Sequence, residues 1–252
     1  MIALRCRAVT TLGDWLAEAP FGLAMSSGFF SFYAHTGMLS ALLAEGHVPV
    51  HAAGSSAGAL VAGAWAAGLS AEALAEALAR LTRADFWDPA PGAGLLAGRR
   101  FDALLRALLP VAAIERCAVP LAISVFDILA RRTAVLTRGD LAAAIRASCA
   151  VPGMFHPVWI GRRPYWDGGI LDRPGIAGVP PGRLLFHHIA SRSPWRAALP
   201  IPRRRELVAL VLEDLPRSGP FRLEAGRRAL AAAREATLRA LARPIEGGLV
   251  RV

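Results

Sequence analysis

The sequence predicts an α/β protein, a layered fold with a mostly parallel central sheet. Three observations carry that expectation. Short apolar runs of strand length alternate with amphipathic or Ala-rich stretches of helix length, the pattern of βα units rather than of hairpins. One such run leads into Gly54-Ser55-Ser56-Ala57-Gly58, a G-x-S-x-G sequence followed at once by a helical stretch. The length, 252 residues, fits a single domain spanning 1–252 with one sizeable core.

Residues 1–20 form a leader segment. It lacks an apolar run followed by a small-residue cleavage site, so no secretory signal is expected. Residues 21–25 read as a first strand. It runs into Ser26-Ser27-Gly28-Phe29-Phe30-Ser31 and a helix over 32–44 that closes at Gly46. Residues 47–53, apolar and partly β-branched, read as a second, buried strand. An Ala-rich helix over 57–68 follows, ended by Gly68, and Ser70 caps the next helix, 71–81. Residues 87–98 are turn-rich. A helix over 101–109 is stopped by Pro110. Residues 120–126 and 133–136 read as strands around a turn at Asp127, and Asp140 caps a helix reaching 147. "PVWI" and "RPYW" flank Gly161-Arg162-Arg163, a hairpin signal. Two more strand-length runs, 183–190 and 207–212, precede a long helix over 221–241. The Pro- and Arg-rich stretch 191–205 is the loosest connection.

Between Glu45 and Glu72 there is no Asp, Glu, Lys or Arg, and the same holds over 20–44. Such lengths can span a bilayer. In the first of these stretches the apolar residues are mostly Ala, mixed with two His, a Pro and several Gly, whereas insertion is driven by Leu, Ile, Phe and Val. A helix buried in a soluble core is the expectation. All 29 basic residues are Arg, and the net charge is +10. That balance fits an anionic partner such as a lipid surface, or a compositional bias toward Ala, Arg and Gly. Nucleic acid has only the charge in its favour and no recognition motif, so none is expected. Cys6, Cys117 and Cys149 are odd in number and far apart. They form neither a disulfide framework nor a zinc spacing, which points to a reducing, cytoplasmic compartment.

The G-x-S-x-G sequence has the strand–turn–helix context of a nucleophile elbow, so Ser56 is the candidate nucleophile. A base is then needed. Asp167, in Tyr165-Trp166-Asp167-Gly168-Gly169, lies at the end of a predicted strand. Its aromatic neighbours would desolvate it partly, raising its pKa and strengthening it as a base. On the residues alone, an Asp-Gly turn is the competing reading. Ser56, Asp167 and His188 also fall in the chain order of an α/β-hydrolase triad. Yet His187-His188 sits inside the apolar run "LLFHHIA", so a structural role is expected there, as for His35, His51 and His156. Asp85 and Asp88 read as a helix-exit turn, and Asp172 as a residue shaping the site loop.

Four blocks stand in a fixed order: "SSGFFSFYAHTGMLSALLAEG", "GSSAGAL", "AAAIRASCAVPGMFHPV" and "YWDGGILDRPG". Together they resemble bacterial patatin-like phospholipases over about residues 21–178. The resemblance implies a Ser–Asp dyad without a catalytic His, Ser56 as nucleophile and Asp167 as base. It implies a three-layer α/β/α, patatin-like fold, no metal or organic cofactor, and hydrolysis of acyl esters of lipids or phospholipids. The first loop departs from the family pattern: it has one glycine and no basic residue. Backbone N–H groups of Gly28, Phe29 and Phe30 remain its candidate oxyanion donors, since donation needs only the N–H. Phe29, Phe30 and Phe32 are core residues or an apolar wall for an acyl chain. Residues 220–243 form a basic amphipathic helix with Leu223, Leu230, Leu238 and Leu241 as its stripe. It is an outer helix of the sheet or an interfacial element on anionic lipid, which would place the protein at the inner membrane face. Two other functions fit the same residues: an acyltransferase using the same acyl-enzyme, and a non-catalytic lipid-binding protein. The sequence carries no signal of oligomeric state.

Overall fold

The computed structural model describes residues 10–190 and 199–252. Cys6, the start of the leader segment and Pro194 of the loose connection lie outside the described residues. Among the described residues there are eleven strands: β1 (Gly22–Met25), β2 (His51–Ser55), β3 (Gly94–Leu96), β4 (Leu121–Asp127), β5 (Arg132–Leu136), β6 (Gly153–Phe155), β7 (Val158–Ile160), β8 (Arg163–Asp167), β9 (Leu184–Ile189), β10 (Leu207–Leu212) and β11 (Leu249–Arg251). The α-helices are α1 (Leu12–Glu18), α2 (Phe32–Ala44), α3 (Ala57–Ala66), α4 (Ala71–Arg80), α5 (Arg99–Leu108), α6 (Leu141–Ser148) and α7 (Leu223–Leu241).

Six parallel strands, ordered β11-β10-β9-β1-β2-β4, form the body of a nine-stranded sheet. β8 and β7 continue it antiparallel past β4, and β5 also pairs antiparallel with β4. This is the mixed α/β fold that the sequence predicts, with a central mostly parallel sheet and flanking helices. β1 and β10 are buried at every residue. Both faces of these strands are covered, which is why they read as unbroken apolar runs. The main core joins Leu23, Met25, Ile123 and Leu210 of the sheet to Met38 and Leu39 of α2 and Val61 of α3. The opposite face carries Ala24, Ala53, Phe186 and Val211 against Ile176, Val179, Leu199 and Ile201. Phe186 has no exposed surface, and burial of that ring contributes roughly 1.5–3 kcal/mol.

Several elements differ from the expectation. β2 begins at His51 rather than at 47, because Val48 and Val50 are 58% and 50% exposed and Pro49 has no N–H to give a ladder. α5 begins at Arg99 because Asp88 accepts the N–H groups of Gly98 (2.9 Å), Arg99 (2.7 Å) and Arg100 (3.2 Å). Asp88 is thus a cap reaching across ten residues, not a helix-exit turn. The turn-rich stretch contains β3, which pairs in parallel with β6. The leader segment includes α1, whose Thr11 and Asp14 form a capping box and whose Leu12 and Leu16 are buried. α3 is buried along all but one of its residues, Trp65. Among the described residues no helix is long and apolar enough to cross a membrane.

α7 buries small residues, Gly226, Ala229, Ala233, Ala236 and Ala240. They let it approach α2 so closely that a Cβ on Gly37 would lie 2.1 Å from the Leu230 carbonyl oxygen. Leu223, Leu230, Leu238 and Leu241 flank this stripe half-buried, and Arg228, Arg234 and Arg239 face outward. The apolar side of α7 is therefore occupied within the fold.

Candidate active site

Strand register brings the two candidate catalytic residues together. β2 pairs with β4 as far as Ser55, opposite Ser124. One residue further along β4, Val125 is opposite Asp167 of β8. β8 thus takes over the edge of β4 where β2 ends, and Asp167 stands level with the residue after Ser55. That residue is Ser56. Its Oγ donates to Asp167 Oδ2 at 2.6 Å, and both residues are buried. Asp167 Oδ1 accepts the Gly169 N–H at 2.7 Å.

Ser56 has φ 53° and ψ −121° at the turn from β2 into α3. Such a backbone is strained for a residue with a Cβ, by about 1–3 kcal/mol. The surroundings hold it there. Gly54 and Gly58 are in backbone contact, and a Cβ on Gly58 would meet the Met25 carbonyl oxygen at 2.1 Å. The Ser56 N–H donates to Ser148 Oγ at 2.8 Å, and that hydroxyl donates to the Ser124 carbonyl at 2.7 Å. Ser148, fully buried at the end of α6, therefore ties the elbow to β4. Ser148→Ala leaves a buried N–H and a buried carbonyl without partners, each worth about 1–3 kcal/mol. We expect it to lower kcat by roughly tenfold or more with KM little changed, as steady-state kinetics on a soluble ester would record.

An apolar cavity of about 340 Å³ opens on Ser56, a size within the range of small-molecule sites. Its walls are Leu78 of α4, Leu104, Leu105 and Leu108 of α5, and Phe29, Phe30 and Phe32. The three phenylalanines thus line the cavity, while Phe30 and Phe32 also rest on the main core. Gly28, Phe29 and Phe30 border it next to Ser56. Among the described residues their N–H groups donate to no other group. Phe30 has φ 57°, and Ser31 N donates to the Gly28 carbonyl at 3.1 Å, which fixes the turn. Cys149 also lines the cavity. Burial first, and then the nearby Asp167 carboxylate, push its thiol well above the usual range, so it is not an activated nucleophile.

The histidines hold the loop rather than the nucleophile. His188 Nδ1 bonds Ser26 Oγ at 3.1 Å. His35 Nε2 faces the Ser26 carbonyl at 2.9 Å, so it carries the proton, and its Nδ1 accepts from His187 Nδ1 at 2.8 Å. His156 bonds the Ala90 carbonyl at 2.7 Å, and the ring of His51 lies over Gly22. Asp172 accepts from Ser124 Oγ at 2.6 Å and from the Ala177 N–H at 2.9 Å, shaping the loop after β8 as expected. Asp127 accepts the Ala130 N–H at 2.9 Å in its turn. Among the described residues no group of His, Cys, Asp and Glu is placed to hold a metal ion.

Burial lowers His35 to about 3 and His188 to about 4 from 6.5, and takes His187 well below 6.5. These rings are neutral in the folded protein and gain protons on unfolding once the pH drops below 6.5. Stability is therefore full above pH 6.5 and is lost as the pH falls toward 4. Carboxylates titrate mostly below pH 5, so the interval from 6.5 to 5 isolates the histidines. Thermal melts across it are expected to fall steadily, with a shallower slope in His188→Gln.

A parallel-sheet α/β protein with a serine elbow beside a carboxylate is the class that fold and site define. The patatin-like phospholipase family model matches residues 23–179, more than half of the chain, and the chain belongs to that family. An uncharacterized NTE family protein of Mycobacterium tuberculosis is 39% identical over 163 residues, covering 62% of this chain and 45% of that protein. A Mycobacterium bovis protein of the same description matches equally. A further M. tuberculosis NTE family protein is 30% identical over 160 residues, covering 62% of this chain and 27% of its own length. The chain thus spans less than half the length of these relatives. The solved structure of VipD from Legionella pneumophila shares the fold, with a TM-score of 0.56 at 13% identity over 88% of this chain and 66% of VipD. The family is one of lipid acyl hydrolases.

Sequence reasoning missed Ser148, although it lies inside the quoted block "AAAIRASCAVPGMFHPV". A serine at a helix end gives no local sign that a residue 92 positions away will use its oxygen.

Proposed function

We propose that the chain is a serine acyl-ester hydrolase that cleaves lipid or phospholipid esters through a Ser56 acyl-enzyme, with Asp167 as the base. The observation that carries this reading is the 2.6 Å Ser56 Oγ–Asp167 Oδ2 hydrogen bond at the floor of an apolar cavity. Asp167 takes the Ser56 proton as Oγ attacks the ester carbonyl. Backbone N–H groups from Gly28, Phe29 and Phe30, with that of Ala57 at the start of α3, face the developing oxyanion. The proton passes from Asp167 to the leaving alcohol, and the C–O bond breaks. Water then loses a proton to Asp167 and attacks the acyl-enzyme, releasing the fatty acid and restoring Ser56. The apolar walls hold the acyl chain and exclude water from the charged centre.

The test is incubation with a phospholipid of defined chains, followed by mass spectrometry of the products. Free fatty acid and lysolipid in equal amounts are expected without any added acceptor. Product that forms only with an added alcohol or thiol would assign an acyltransferase instead. Binding without turnover would assign a lipid-binding protein. We place the protein at an anionic membrane surface, with the outward arginines of α7 supplying the attraction.

A further inference from the structure

A second cavity, of about 530 Å³, shares a wall with the first: Ser27, Gly28, Phe29, Phe30 and Arg173 border both. Its chemistry is different. The charged groups lining it, among the described residues, are Arg173, Arg217, Arg251 and Asp214, with His188 beside them. Three arginines and one aspartate thus line it. Arg251 also pairs with Glu213. After burial, the positive charges of Arg173 and Arg251 are the largest causes that lower His188, so the imidazole between these wall residues adds no charge at neutral pH. Arg217 comes from the segment between β10 and α7, and Arg251 from β11. Both lie beyond the residues that the family model matches, so the chain's C-terminal third supplies these two arginines to a cavity whose other wall is the loop after β1.

We propose that this cavity is an anion site that takes the phosphate on the alcohol side of the ester, with Arg217 and Arg251 as its ligands. The proposal rests on the hydrolase reading of Ser56. An ester carbonyl held near Gly28 would send its acyl chain into the apolar cavity and its alcohol portion across the shared loop. Guanidinium groups suit this role, because their paired N–H donors match phosphate oxygens bidentately. Protein walls on several sides strengthen that attraction relative to open water. Phosphate-bearing esters are therefore preferred over esters with an uncharged alcohol portion.

Two measurements test this on the full chain. The first is calorimetric binding of glycerol 3-phosphate. The second is the ratio of kcat/KM for phosphatidate to that for diacylglycerol with the same acyl chains. Arg217 and Arg251 are exposed, so the double variant Arg217→Gln/Arg251→Gln is expected to fold, and a thermal melt confirms it. In that variant glycerol 3-phosphate binding and the kcat/KM ratio should each fall by roughly tenfold or more. Arg80→Gln, on the distant and exposed part of α4, should change neither. An unchanged ratio in a folded double variant overturns the proposal. Weakened glycerol 3-phosphate binding with an unchanged ratio also overturns it, since the site would then hold free phosphate and not the substrate. Absence of all ester turnover, with glycerol 3-phosphate binding lost only in the double variant, would count against the hydrolase reading and leave the anion site standing.

Discussion

Replacing Asp167 by Asn should lower kcat on any ester by roughly three orders of magnitude, within the range that loss of a general base costs. The amide matches the carboxylate in shape and keeps one oxygen for the Gly169 N–H, but it turns an NH2 donor toward the Ser56 hydroxyl and cannot take the proton. The Gly169 N–H would keep its oxygen partner, so the turn after β8 should persist. The variant should therefore melt within a few degrees of the parent while kcat collapses. A kcat within tenfold of the parent would mean that another group removes the proton.

Gly58→Ala should have the largest effect on stability. The added methyl would meet the Met25 carbonyl oxygen at 2.1 Å and its carbon at 2.6 Å. Both belong to the central strand β1, which is paired on both sides and has no room to retreat. Overpacking of this kind costs about 1–3 kcal/mol or more, and the elbow bears it directly. A drop in thermal midpoint of roughly 5–10 °C follows for a chain of this size, together with loss of turnover as Ser56 shifts. A variant that melts like the parent would show that β1 and α3 are less tightly apposed than their backbones indicate.

Much of this architecture was legible in the sequence, for identifiable reasons. β1, β9 and β10 are covered on both faces, and such strands must be apolar throughout, so they stand out. Ser70 and Asp140 cap helices through bonds within three residues, a local signal. Ser56 and Asp167 could be singled out because each sits where a strand gives way to a glycine turn. Features made by distant residues were not legible. The Asp88 cap of α5, the Ser148 hook on the elbow and the β3–β6 pairing depend on contacts that no local pattern encodes. α7 misled for a different reason. Its leucines looked like the buried stripe, but close approach to α2 selects glycine and alanine, which composition alone reads as neutral. The second cavity draws its arginines from three separate segments, so their convergence emerges only in three dimensions.

The central claim is that Ser56 is the nucleophile of a dyad without a catalytic histidine. It is tested most directly by hydrolysis of a medium-chain p-nitrophenyl ester, comparing the parent with Ser56→Ala and His188→Ala, alongside covalent labelling by a fluorophosphonate. The account predicts that Ser56→Ala loses both turnover and label. It predicts that His188→Ala, which removes the Ser26 hydrogen bond and the ring stacked on Phe186 but no group bonded to Ser56, falls by less than the roughly 10²-fold that losing a base would cost. Turnover and labelling that persist in Ser56→Ala, or activity that vanishes in His188→Ala, would contradict it.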